Sequence, residues 1–136
     1  MDHHAPLIVH KFGGSSLLDA AAFEHVGQLL LQLEQPRQAI VVSAMGGVTD
    51  ALLSLLAAAA AGEPHWPQQL QALSERHLQC LQQIGGDDAM QASMQQRFTH
   101  LKHLLEGLQL LGTAPIEALQ LVSGLSEVCA AELLTA

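Results

Sequence analysis

Residues 7–12, Leu-Ile-Val-His-Lys-Phe, form a short apolar run that Gly13 and Gly14 end, where a tight turn can use positive φ angles; the pattern predicts a strand entering a glycine turn. Between residues 17 and 33 the side chains of Leu18, Ala22, Val26, Leu29, Leu30 and Leu33 recur at helical spacing. Ser16 is the expected N-cap of that helix, with Asp19 three residues on in a capping-box relation, and Pro36 separates it from the next apolar run. Residues 39–42, Ala-Ile-Val-Val, are compact and rich in β-branched side chains, as a buried parallel strand is, and they lead into Ser43-Ala44-Met45-Gly46-Gly47-Val48-Thr49-Asp50. Helical patterning then takes over residues 51–61, 67–83 and 87–111. Leu70, Leu73, His77, Leu81 and Ile84 make one stripe, and Met90, Met94, Leu101, Leu104 and Leu108 another, broken by the charge of Arg97. Gly85-Gly86-Asp87 and residues 112–115 read as a stop and restart of helix, residues 119–123 as a short extended segment, and residues from 126 onward as a last helix.

Strand, helix, strand is the order of a right-handed βαβ unit with a parallel sheet. Both glycine loops then fall on one sheet edge, outside the carboxyl ends of the strands, where open α/β folds bind ligands. The last helical pattern is still running at Ala136 without a capping Gly, so a piece of a longer protein is expected.

Composition narrows the function classes. The chain has 136 residues and is 49% hydrophobic, enough for a buried core, but only 13% charged, with Gln carrying much of the polar surface, as at Gln68, Gln69, Gln71, Gln82 and Gln83. Five Lys and Arg against 13 Asp and Glu give a net charge of -8, the wrong sign for gathering on nucleic acid or anionic lipid. Any bound anion must therefore be held locally. Cys80 and Cys129 lack disulfide or zinc spacing, which fits a reducing cytoplasm. The first residues show no basic segment followed by a long apolar one, and residues 51–61 are too short to span a bilayer, so neither secretion nor membrane insertion is expected.

One of only two lysines, Lys11, stands at a strand end directly before Gly13-Gly14-Ser15-Ser16. Glycines let main chain approach a phosphate closely, successive amides form an anion nest, a helix N-terminus adds partial positive charge, and lysine supplies a mobile full charge. Neither GxxxxGK[ST] nor GxGxxG is present, so on spacing alone a phosphate loop and an ordinary β-turn-α connection both remain open. In the second loop Gly46 and Gly47 again permit close approach. Ser43 and Thr49 offer hydroxyls that suit a small polar substrate or, equally, local caps and turns.

Lys11-Phe12-Gly13-Gly14-Ser15-Ser16, followed after one helix by Val41-Val42-Ser43-Ala44-Met45-Gly46-Gly47-Val48-Thr49-Asp50, resembles the opening of aspartate kinases of the amino-acid kinase superfamily. With His10 in front, the block is most similar to the bifunctional aspartokinase/homoserine dehydrogenases of the methionine branch. The resemblance implies an α/β fold, a three-layer α/β/α domain, of which residues 1–136 are the N-terminal portion with a largely helical insertion. It further implies phosphorylation of the L-aspartate β-carboxylate by ATP with Mg2+, in a cytoplasmic homo-oligomer without nucleic-acid or membrane partners. NADP would serve only a dehydrogenase part outside this chain.

Carried over by motif, Lys11 would contact the transferred phosphoryl group, and Gly13, Gly14 and Ser15 would form the phosphate loop. Ser43 and Thr49 would lie near aspartate, and Glu127 would match a glutamate that contacts the substrate amino acid. No protein-held metal site is implied. Ser126 stands where the family usually has Gly, Ala130 where it has Ser, Glu132 where Arg is common, and Asp50 where Asn is frequent. The family's nucleotide-base half, its later substrate-binding Arg and Asp, and its regulatory domains would lie beyond Ala136, so the chain alone is not expected to turn over. Two other readings stand beside this one: another amino-acid or carbamate kinase, and a helical interaction module with a vestigial kinase loop. His25, His77, His100 and His103 lack a carboxylate to complete a ligand set and are expected to be packed or solvated.

Overall fold

A computed structural model describes residues 5–136; the N-terminal reading against a leader falls partly on residues 1–4, outside the described residues. Strands β1 (Ile8–Phe12) and β2 (Gln38–Val42) pair in parallel, from Ile8 opposite Gln38 to Phe12 opposite Val42. Helix α1 (Ala20–Gln32) makes the crossover between them. It starts later than its apolar pattern, because Gly14–Ser16 winds into a 3-10 turn and Leu17 drops fully into the core. Ser16 is therefore not the cap. Asp19 is, its carboxylate accepting from the Ala22 amide at 2.9 Å. The helix buries Ala20, Phe23 and Val26 and leaves Leu29 and Leu33 exposed, so its inner face is set by Phe23 rather than by the Leu29 to Leu33 stripe.

Four further helices complete the chain: α2 (Val48–Ala60), α3 (Trp66–Gln83), α4 (Asp88–Leu111) and α5 (Ile116–Thr135). Helix α2 starts at Val48, ahead of the expected residue 51, which puts Thr49 and Asp50 in its first turn. The Asp87 carboxylate caps α4 by accepting from the Met90 amide at 2.8 Å, and Gly112 stops it, as the glycine punctuation predicts. The expected extended segment at 119–123 is instead helix, continuous through α5. Ala118, Val122, Ser126, Cys129 and Leu133 recur at helical spacing and are all buried, so packing along one face overrides the strand preference of a short Leu-Val stretch.

Helix α2 lies among α3, α4 and α5, and α5 also touches α1 and β2. Leu56 of α2, Leu81 of α3, Met94 and Leu105 of α4 and Leu133 of α5 meet in a single core that includes Leu17. Phe12 and Val42 pack against that core at the ends of the two strands. Where Arg97 interrupts the α4 stripe it reaches across to Glu132 of α5, nitrogen to oxygen 2.6 Å. By length and composition α5 is apolar enough to cross a membrane, with a mean hydropathy of 1.2 over 18 residues; here its buried face packs on α2 and α4.

Candidate functional site

Parallel pairing carries both strands to the same edge, and the Ser43 amide continues the ladder by donating to the Phe12 carbonyl at 3.0 Å. The glycine loops thus emerge side by side. In the first, the Ser16 amide donates to the Gly13 carbonyl at 3.0 Å and the Leu17 amide to the Gly14 carbonyl at 3.2 Å, so these two are used inside the turn. The amides of Gly13, Gly14 and Ser15 have no such partner among the described residues. Gly13 has φ -85°, not the positive value expected of this turn; the left-handed residue is Gly47, φ 79°, directly before α2. What the first loop needs from glycine is closeness. A Cβ on Gly14 would stand 3.4 Å from both the Ala44 carbonyl oxygen and the Gly46 Cα.

A cleft of about 200 Å³ opens between the loops, lined by Gly14, Ser43, Ala44, Met45, Gly47, Thr49 and Asp50. Gly14, Ser43 and Thr49, three residues singled out in the sequence, meet here. Lys11, Gly13, Ser15 and Glu127 are not part of its wall. Lys11 is exposed at the end of β1, on the strand face opposite Phe12, and has no ion pair among the described residues. Glu127 is exposed on α5.

Its neighbour Ser126 is buried and reaches the cleft through Thr49. The Ser126 hydroxyl lies 2.6 Å from the Ser123 carbonyl, which can only accept, and 3.1 Å from the Thr49 hydroxyl. A serine has one hydroxyl proton, so it goes to Ser123, and Thr49 donates to Ser126. Thr49 is then left with acceptor lone pairs alone. Asp50 adds a carboxylate to the same wall, beside the partial positive charge of the α2 N-terminus, so the cleft presents groups of both signs.

Arg76 carries no sequence signal of a role at the site, since it sits off the apolar stripe of α3. One guanidinium nitrogen donates to the Leu18 carbonyl at 2.9 Å and to the Gly46 carbonyl at 3.0 Å, one carbonyl at the exit of the first loop and one in the second. The only available cue was scarcity, since the chain has five Lys and Arg in all. The histidines resolve as packed or solvated. His77 is buried between α3 and α4 with its ring 5.0 Å from that of Phe98, while His25, His100 and His103 are exposed. Among the described residues no three His, Cys, Asp or Glu side chains are grouped to hold a metal ion.

Compared with known proteins, residues 6–136 match the model of the amino acid kinase family. The chain belongs to the amino acid kinase family. Within this family, it is 28% identical over 130 residues to the chloroplastic bifunctional aspartokinase/homoserine dehydrogenase 2 of Arabidopsis thaliana, a match covering 93% of this chain and 14% of that relative. Over 48 residues it is 42% identical to bifunctional aspartokinase/homoserine dehydrogenase 2 of Escherichia coli K12, covering 35% of this chain and 6% of the relative. It thus spans about 14% of the length of the plant relatives. The fold matches E. coli aspartokinase III in complex with aspartate and ADP, TM-score 0.81 at 21% identity over 95% of this chain and 28% of that one. Clostridium acetobutylicum aspartate kinase matches with TM-score 0.68 at 23% identity, over 96% of this chain and 29% of its own. An amino acid kinase fold, α/β with a small parallel sheet, is what these comparisons show for the chain.

Proposed function

We propose that residues 1–136 are the N-terminal part of the catalytic domain of an aspartate kinase, which transfers the ATP γ-phosphoryl group to the β-carboxylate of L-aspartate. The observation that carries this reading is the cleft between two glycine loops at the carboxyl ends of paired parallel strands, in a member of the amino acid kinase family. The two relatives above are named as aspartokinases, and one structural neighbour was solved with aspartate and ADP.

Charge divides the site. The cleft with Asp50 and the acceptor hydroxyl of Thr49 suits the ammonium end of an amino acid, with Ser43 beside it; Glu127, exposed on α5 outside the cleft wall, is assigned to the substrate by its motif alone. The phosphate chain belongs to Lys11 and the free amides of Gly13, Gly14 and Ser15. A β-carboxylate oxygen attacks the γ-phosphorus, the new O–P bond forms as the bond to the β-phosphate oxygen breaks, and ADP leaves with that electron pair. Aspartate arrives ionised, so no general base is required, and catalysis is in-line positioning plus neutralisation of charge on the transferred group. Lys11 supplies that neutralisation. Mg2+ would arrive with the ATP phosphates, and no step here passes through it.

The full-length enzyme is read as a cytoplasmic homo-oligomer of amino-acid biosynthesis. It is of the methionine-branch bifunctional type, with NADP serving a dehydrogenase part outside these residues. The test is ATP- and aspartate-dependent hydroxamate formation by the full-length protein, with Lys11→Ala expected to lower turnover about 10²- to 10³-fold. Unchanged turnover in that variant removes Lys11 from the reaction. Absence of aspartate-dependent phosphorylation in the wild type, with carbamate or another amino acid accepted instead, replaces the substrate.

A further inference from the structure

We propose that Arg76 is a positioning residue that holds the two glycine loops at a fixed separation, and with it the distance between phosphoryl donor and acceptor; the proposal rests on the aspartate kinase reading above. Arg76 comes from α3, 58 positions beyond Leu18 and 30 beyond Gly46, so neither loop can make this link locally. Its two acceptors belong to different loops and are both carbonyl oxygens. Close together they repel; a cation shared between them turns that repulsion into two charge-assisted bonds.

Little else joins the loops beyond the strand ends. The ladder stops at the Ser43 amide, the Gly46 amide reaches the Leu17 carbonyl only at 3.4 Å, and no backbone hydrogen bond joins Gly14 to Gly46. Arg76 does not line the cleft, so it acts through the loops rather than on substrate. The loop after β1 carries the phosphate groups and the one after β2 carries the amino-acid groups. Their spacing is therefore the spacing of the reacting atoms, and misplacement by ~1 Å costs roughly 10²-fold in rate.

A single nitrogen makes both bonds, so a point cation can replace the guanidinium. In the full-length protein Arg76→Lys is expected to keep kcat within about threefold, whereas Arg76→Met, which keeps the apolar stem and loses the charge, lowers kcat ~10- to 100-fold. KM for ATP and for aspartate stays within about twofold in both, because each loop keeps its own binding groups. Hydrogen exchange over residues 13–19 and 43–48 is expected to speed up together in Arg76→Met and not in Arg76→Lys. Arg76→Gln, which keeps an uncharged donor, is expected to fall between them and serves if the Met variant does not fold. Wild-type kcat and exchange in Arg76→Met and Arg76→Gln overturn the proposal. So does an equal loss in all three variants that tracks only the unfolded fraction seen by circular dichroism. A wild-type enzyme without aspartate kinase activity sinks the functional reading instead, and the exchange measurement still decides whether Arg76 ties the loops.

Discussion

Gly46 has no room for a side chain. A Cβ there would stand 2.8 Å from the Leu18 Cδ1 and 3.0 Å from the Gly14 carbonyl oxygen. Leu18 is 53% exposed and can swing away; the Gly14 carbonyl cannot, because it accepts from the Leu17 amide in the turn. Gly46→Ala is therefore expected to destabilise the fold by about 1–3 kcal/mol through forced backbone displacement. Gly13, with φ -85° and nothing within 4 Å of the place a methyl group would take, makes the control. Gly13→Ala should leave the stability measured by urea unfolding within about 0.5 kcal/mol of wild type, as for a surface substitution. Equal midpoints for the two variants would contradict the close approach of the loops. The Lys11, Ser43 and Thr49 positions were legible because a strand, a glycine turn and a hydroxyl-bearing loop announce themselves locally. Ser126 and Arg76 were not, since each acts by bonding to a residue 30 or more positions away.

Between elements, the helices were legible wherever one apolar stripe met one partner. Gly85-Gly86-Asp87 and Gly112 marked both ends of α4, and the stripe broken at Arg97 is bridged by Glu132. The starts of α1 and α2 and the continuity of α5 were not legible, because a 3-10 turn, a left-handed Gly47 and a buried Ser126 each replaced the cue that propensity supplies. The α3–α4 contact contains the fold's one fully buried histidine among the described residues. His77 Nδ1 lies 2.8 Å from the Leu73 carbonyl, which fixes the proton there, and Nε2 has no partner. Burial, opposed in part by that hydrogen bond, holds its pKa below the usual 6.5. The unfolded chain therefore binds the proton more readily than the native one. The stability that neutral His77 contributes is fully present above pH 6.5 and is lost as pH falls below that value towards the lowered native pKa. The thermal midpoint is expected to drop as pH falls below 6.5, and His77→Leu, about the same size and without a titrating group, should flatten that part of the curve. An identical pH profile in the variant would mean that other groups, not His77, govern acid stability.

Across the whole molecule, helices cover the sheet unevenly. Phe12 and Val42 pack on the core, but Val9 is 60% and Val41 49% exposed on the opposite strand face, with Lys11 beside them. On the covered side a second, apolar cleft of about 590 Å³ runs between α1, β2 and the end of α5, lined in part by Phe23, Leu30, Ile40 and Leu134. Parallel sheets are normally apolar on both faces and covered on both, so an open strand face is the surface most ready to take up an apolar probe or another chain. The net charge of -8 sits mainly elsewhere and does little to protect it, since β1 and β2 contain no acidic residue. The 136-residue chain is therefore expected to enhance the fluorescence of 1-anilinonaphthalene-8-sulfonate while retaining its native circular dichroism. A Val9→Thr/Val41→Thr pair should lower that signal without moving the thermal midpoint by more than about 3 °C, because both side chains are about half exposed and their exchange for threonine removes little buried area. If the signal is unchanged, the dye occupies the apolar cleft by α1, and Leu30→Gln should then abolish it. If the wild-type chain gives no enhancement, the strand face is closed in solution; if enhancement survives both substitutions, the dye binds elsewhere and the open strand face is not its site.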